Sequence, residues 1–290
     1  MHKLPHFEEY INHLNIDLAT PGSPSLSLNK LHELCDSECS KLLKAEVKIQ
    51  DYLGNPILRN QIKKTFFNNK EAPNNIIIRS NIAEIVSLIA TKSSVKKLDL
   101  PAEIVSTEEI ISYIKSKDTN PQELYYYIDK YGLDFNNIKL NTSIVISSLE
   151  IIYGIKGLNV AWAYIQSDIL YQEICDELSY IGPSASYLSE IYAIIAVRND
   201  LLIKSINQKI IADNLRSLSS FLEKYSNLFE YKIFQLCNYC IINLKDRARE
   251  EKLLNNSMLL LRKSSEGILI HYGQRNFISG LLTLERLLTQ

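Results

Sequence analysis

The chain has no surplus of either charge, no long apolar run and no metal-ligand spacing. Its 32 basic and 33 acidic residues among 290 leave a formal net charge of −1. A balance of this kind gives no overall field for nucleic acid or for an anionic membrane surface. No apolar run approaches the ~20 residues that span a bilayer. The opening MHKLPHFEEY lacks the apolar core of a secretory signal. The expectation is a cytoplasmic protein that meets neither membrane nor nucleic acid. Histidines at 2, 6, 13, 32 and 271 form no ligand pattern. Cys35 and Cys39 stand i,i+4 in what reads as a helix, whereas Cys237 and Cys240 have an odd spacing in a strand-like run and so point to opposite faces. The cysteines read as buried free thiols rather than a four-thiolate zinc site, and no metal is expected. The consecutive Tyr125, Tyr126 and Tyr127, without a basic stripe, read as strand packing rather than a base-stacking surface.

What is present is an apolar share of 46%, enough at this length to fill one large α/β domain or a large domain plus a small one. The segment 16–28 is an extended, Pro- and Gly-broken lead-in, and the residues after it repeat apolar positions at three and four, as one helix. A turn at Gly54–Pro56 precedes Leu58, Ile62 and Phe66 on one helical face. Residues 74–92 change period in mid-run, from Ile76–Ile78 as a strand to Ile82, Ile85, Val86 and Ile89 as a helix. Residues 106–117 open with a capping-box spacing, Ser106 and Glu109. Strands are expected over 122–135, with Asp129 at an end, and over 142–148. This alternation predicts a mostly parallel sheet flanked by helices, with any ligand outside the carboxyl ends of the strands. A long helical stretch follows, then two strand-like pieces at 231–244 and 258–272. The expected organisation is an N-terminal segment and helix over 1–50, a large domain over 51–190 and a smaller α+β lobe over 191–290.

Residues 147–162, SSLEIIYGIKGLNVAW, have the layout of a strand delivering its end to a site: two serines, a loop holding Gly154 and Gly157, and an apolar stretch closed by the only tryptophan, Trp162. Yet Leu149, Glu150 and Ile151 include no obvious nucleophile or base for which such a layout would be built.

Several segments, in order, resemble the fold-type I pyridoxal-phosphate-dependent enzymes, nearest the histidinol-phosphate aminotransferase and threonine-phosphate decarboxylase branch. Gly54, Pro56, Leu58 and Arg59 match the family's G-x-P-x-L-R. RSNIAE at 79–84 matches its T-S/N-G-A-Q-E turn with Ser80 and Glu84 kept. Pro101 and STEEI match its P-T-G and S-x-E-E-L, and DKYGLDF matches its D-E-A-Y-x-x-F with Asp129 and Phe135 kept. Ser148, Leu149, Tyr153, Gly154, Gly157, Leu158 and Trp162 match S-L-S-K-x-Y-G-L-x-G-L-R-x-G-W. CNYCIINL and the run ending HYGQRN resemble two segments of the small domain.

The resemblance implies that Asp129 would pair with a pyridine nitrogen, and that Ser148, Ser80 and Asn81 would lie at a cofactor phosphate. Read from the residues alone, Asp129 and Ser148 are equally a turn or cap residue and a helix cap. The departures fall on the chemistry. Ile151 stands where the family's Schiff-base lysine would be, Glu150 replaces a serine of the phosphate cup, and Asn159 and Leu269 replace arginines that hold phosphate and substrate carboxylate. Asn81 replaces a glycine. Lys130 and Lys156 are the lysines nearest in sequence to these positions, and a solvated loop lysine such as Lys156 is a poor Schiff-base candidate. Between Lys92 and Pro101 the chain is also shorter than the family, which implies an internal deletion that removes the ring-stacking segment. The resemblance therefore implies at most weak, noncovalent pyridoxal phosphate. It leaves two functions: a degenerate aminotransferase-like protein acting as a homodimer or as a heteromer with a related enzyme, or an altered-chemistry enzyme holding pyridoxal or pyridoxamine phosphate, or a phosphorylated amine, without a covalent link.

Overall fold

The computed structural model describes residues 16–20, 22–46, 50–67, 74–92, 144–234, 238–264 and 266–289. The expected helix at 106–117, the strand carrying Asp129 and the shortened stretch at 92–101 lie almost wholly outside these residues. The chain divides into two compact units: Leu26–Lys204, and the described part of 1–25 together with Ser205–Gln290. The boundary expected at 190/191 falls inside the helix Tyr187–Arg198, whose Ile191, Ile194, Ile195 and Val197 belong to the core of the first unit. Among the described residues no helix is long and apolar enough to cross a membrane.

In the first unit the sheet has the order Ile76–Arg79, Ala161–Ile165, Ile144–Ser148. The strands at 76–79 and 144–148 fall where the β-branched runs place them. They run in the same direction, but the strand between them, made from the apolar stretch around Trp162, is antiparallel to both. An α/β unit thus results in which the described strand pairs are antiparallel, because the loop after Ser148 reverses the chain directly beside its own strand.

Alternation along the strands sorts the side chains into two cores. Trp162, Tyr164, Ile76 and Ile78 meet Leu58, Ile62 and Phe66 of the helix Pro56–Phe67, together with the helix Tyr187–Arg198. Ile77, Ile144, Ile146, Ala161 and Ala163 meet Ile85, Val86 and Ile89 of the helix Ile82–Lys92, and Ile174 and Leu178 of the helix Asp168–Ile181.

The single helix expected after residue 28 is two, Leu28–Glu33 and Ser37–Lys44. Asp36 starts the second by accepting a hydrogen bond from the Cys39 amide at 2.7 Å, and a short polar side chain in this role competes with continuation of the preceding helix. Cys35 therefore lies between helices, not in one helix with Cys39. The long helical stretch likewise breaks at Asn199 into Tyr187–Arg198 and Asp200–Lys224.

The second unit holds a four-stranded antiparallel sheet in the order Phe229–Phe234, Tyr239–Leu244, Gly267–His271, Arg262–Ser264. The strand-like stretch 258–272 thus contains three short strands. Ile16–Asp17, at the start of the lead-in, pairs in parallel with Leu259–Leu260 and so joins this unit. Asp17 Oδ1 accepts from the Ala19 and Thr20 amides, both at 2.9 Å, and turns the chain. A side chain at Gly280 of the helix Phe277–Thr289 would place its Cβ 2.8 Å from Leu18, so glycine permits that helix to lie against the lead-in.

Candidate functional site

The strand Ile76–Arg79 ends in a turn committed to the protein itself. Arg79 is fully buried. Its Nε donates to Glu84 Oε1 at 2.7 Å, Nη2 reaches the same oxygen, and Nη1 donates to the carbonyls of Gly182 at 2.7 Å and Tyr52 at 3.2 Å. The other Glu84 oxygen accepts from the Ser80 hydroxyl at 2.9 Å. Burial by itself would raise the Glu84 carboxyl, but the hydrogen bonds from Arg79, with those of nearby serines, outweigh it and hold the group below its ordinary value. Asn81 Oδ1 accepts from the Glu84 amide at 2.8 Å and starts the next helix. The Ser80 amide donates to Ser184 Oγ at 2.8 Å. Two of the three residues expected at a phosphate, Ser80 and Asn81, thus share this turn, with the Ser80 hydroxyl and the Asn81 side-chain oxygen tied into the protein's own hydrogen bonds.

Ser148 closes the strand Ile144–Ser148 and stands at the N-cap of the short helix Leu149–Tyr153, but its side chain makes no capping hydrogen bond. Its neighbour Ser147 is fully buried beside Trp162, and its hydroxyl has no partner among the described residues. The helix ends at Gly154, which is left-handed at φ 69°, ψ 24°, and whose amide donates to the Glu150 carbonyl at 2.9 Å. Beyond it Glu150 Oε1 accepts from the amides of Gly157 at 2.8 Å and Asn159 at 2.9 Å. Ile151 is half-buried on the same helix, and Lys156 sits in the loop. Leu269 is buried in the strand Gly267–His271 of the other unit, opposite Ile241 and Arg262. Asp129, Lys130 and Pro101 lie outside the described residues.

Sequence reasoning missed two charged groups. Arg79 could have been found as the basic residue of RSNIAE, five positions before its partner Glu84. Glu190 is the one acidic residue in the apolar run YLSEIYAIIAV, and it is buried at 1% exposure. Its carboxylate accepts from Gln50 Nε2 at 2.5 Å and from the Asn55 amide at 2.9 Å. Burial pushes the Glu190 carboxyl up, against the lowering effect of these hydrogen bonds. Gly54, left-handed at φ 91°, lies directly over this contact, and a Cβ there would stand 2.3 Å from the Ile78 Cβ. The Gly54–Pro56 turn is thus locked between a strand and a buried carboxylate. The buried thiols are inert by the same physics: desolvation pushes Cys39 up to about 11 and Cys240 up to about 12.

Among the described residues, the groups at the two strand ends do not fit a covalently linked pyridoxal phosphate. The position after Glu150 is aliphatic, the Ser80 hydroxyl is bonded to Glu84, and the Gly157 and Asn159 amides are bonded to a carboxylate.

No protein-family model matches the chain, and no curated protein matches it in sequence. Solved structures do match. A pyridoxal-phosphate-dependent aminotransferase from Streptococcus suis superposes with a TM-score of 0.72 at 16% identity, covering 99% of this chain and 98% of its own. The pyridoxal-phosphate-dependent cyclase OrfR gives 0.70 at 14% identity, over 100% and 98%. A single mutant of the aspartate aminotransferase of Thermus thermophilus gives 0.69 at 11% identity, over 99% and 97%. At such identities the likeness speaks for architecture alone: the chain has the α/β fold of the fold-type I, pyridoxal-phosphate-dependent aminotransferases.

Proposed function

We propose that this is an aminotransferase-like protein without transamination activity, which acts by dimerising or by binding a partner. The observation that carries the reading is Ile151, one turn beyond the strand-end Ser148, at the position that the sequence resemblance aligns with the family's Schiff-base lysine. An aliphatic side chain can neither condense with an aldehyde nor move a proton. The internal hydrogen bonding of Ser80, Asn81 and the 157–159 loop supports the same reading. The purified protein mixed with pyridoxal phosphate should give no new absorbance band of a Schiff base, and borohydride reduction should leave its intact mass unchanged. A stable gain of one reduced phosphopyridoxyl group at stoichiometric pyridoxal phosphate, mapped to Lys156 or another pocket lysine, would overturn the proposal.

One observation favours the second reading, an altered-chemistry enzyme that holds pyridoxal phosphate or a phosphorylated amine weakly and noncovalently. The Ser148 hydroxyl at the strand end is not used in capping the helix that follows. Saturable quenching of Trp162 fluorescence by pyridoxal phosphate, without a covalent adduct, would support it.

The assembly is proposed on apolar exposure. Leu28, Tyr52 and Ile57 are 51%, 37% and 38% exposed, and they lie in or beside the lead-in and the Gly54–Pro56 turn. Light scattering at micromolar concentration should report twice the chain mass, with an interface of more than ~2,000 Å² in total if the dimer is obligate. A clean monomer eliminates the homodimer. If no partner then co-purifies from the native host, the second reading prevails.

A further inference from the structure

The loop after the helix Leu149–Tyr153 turns two alternate backbone amides, those of Gly157 and Asn159, onto one point. Both residues have positive φ, 85° and 53°. Left-handed residues interrupting ordinary backbone line up N–H groups into a concavity that binds anions. Glycine adopts this geometry without cost, and asparagine is among the few side chains that tolerate it. A Cβ at Gly157 would meet nothing within 4 Å, so glycine is used there for its backbone and not for close packing. The Leu158 amide between the two donates elsewhere, to the Ile155 carbonyl at 3.2 Å. Gly157 and Asn159 are both exposed, so the concavity opens to solvent. A single anionic atom occupies it, Glu150 Oε1, at 2.8 and 2.9 Å. The backbone of Glu150 is fixed as well, because its carbonyl accepts from Gly154 at 2.9 Å. The preceding Leu149 amide donates to the Val160 carbonyl at 3.0 Å, which closes the loop on both sides.

We infer that Gly157 and Asn159 form a phosphate-type anion site that the protein fills with its own Glu150 carboxylate, so that Glu150 keeps free phosphate groups out of this loop. This deepens the proposed loss of cofactor binding and rests on that reading, but it can fail separately, since it concerns inorganic phosphate and not Schiff-base formation. The physical reason is competition by tethering. A carboxylate held on the same short segment presents itself to the two amides at an effective concentration of ~1 mM or more. A free phosphate must displace this tethered carboxylate and its two charge-assisted hydrogen bonds before it can use the same amides. Glu150 therefore has two roles that one neutral side chain could not fill: it satisfies the amides and it repels a second anion.

The test is titration of the full-length protein with inorganic phosphate at constant ionic strength, following the amide resonances of Gly157 and Asn159. In Glu150→Ala both resonances should move saturably, with a midpoint at least ~10-fold lower in phosphate than in wild type, since no charge-assisted hydrogen bonds have to be displaced. Glu150→Gln keeps the acceptor oxygen and the side-chain volume, and so keeps the fold of the loop. It should fall between the two, because a neutral amide competes less well than a carboxylate. Pyridoxal phosphate and inorganic phosphate should both move these two amides in the alanine variant if the phosphate group is what is recognised, and pyridoxal should not. The inference is overturned if wild type and Glu150→Gln respond alike, or if chloride at matched ionic strength reproduces the phosphate response. It is equally overturned if a folded Glu150→Ala shows no saturable shift.

Discussion

Glu84→Ala is expected to lower the unfolding free energy of the Leu26–Lys204 unit by ~3–5 kcal/mol, the cost of stranding a buried charge. The side chain of Arg79 is only 1% exposed. Its charge cannot be removed by deprotonation, because guanidinium stays protonated in proteins. Two of its donors would still have the Tyr52 and Gly182 carbonyls, but the carboxylate that neutralises it would be gone. Trp162 belongs to this unit, so its fluorescence during urea unfolding isolates the effect. Glu84→Gln retains the hydrogen bonds from Arg79 without the charge and should cost less, ~1–3 kcal/mol. The pH dependence has a definite sign. The folded Glu84 carboxyl lies below its ordinary value. Its contribution is present above the unfolded-state value and is lost as pH falls through the folded one. The gap between wild type and Glu84→Gln should narrow as the solution is acidified through that window. An unchanged urea midpoint for Glu84→Ala would show that Arg79 does not depend on this partner.

Trp162→Ala is expected to cost a similar ~3–5 kcal/mol through a large cavity. The indole is fully buried, stacks on Phe66 with centroids 5.4 Å apart at 14°, and meets Phe67 edge-on at 5.9 Å. Aromatic pairs of this kind add ~0.5–1.5 kcal/mol beyond area burial. Its strand is the middle one, paired with Ile78 on one side and Ser147 on the other. The cavity would therefore open on the face of the sheet, between the middle strand and the helix Pro56–Phe67. Far-UV circular dichroism against temperature measures the loss. Trp162→Phe, which keeps a ring against Phe66, should retain more than half of the difference. Equal losses for the two substitutions would mean that the stacking contributes nothing.

The elements were legible where a local period was strong. The switch from Ile76–Ile78 to Ile82, Ile85, Val86 and Ile89 located a strand, a turn and a helix, because both periods are properties of adjacent residues. The ordered motifs pointed to the aminotransferase fold, and the superposed structures carry that reading. The same motifs located the strand-end serine and the aliphatic Ile151. Helix breaks at Asp36 and Asn199 were missed because apolar spacing continues across them, while the stop is decided by side-chain caps and by what the next helix packs against. The antiparallel middle strand was missed because pairing direction depends on where a loop returns the chain.

What the sequence determined by itself was the inventory: no amine at position 151, no arginine at 159 or 269, balanced charge, and the amphipathic segments from which the cores are made. Only the tertiary structure decided how the remaining polar groups are used. Glu84 meets a buried Arg79, Glu190 locks the Gly54 turn from more than a hundred residues away in sequence, and Glu150 folds back on the amides of Gly157 and Asn159. In sequence none of the three shows the donors it will meet. A carboxylate's role is set by which donors converge on it and by how much water is removed, and both are fixed only when distant segments pack together.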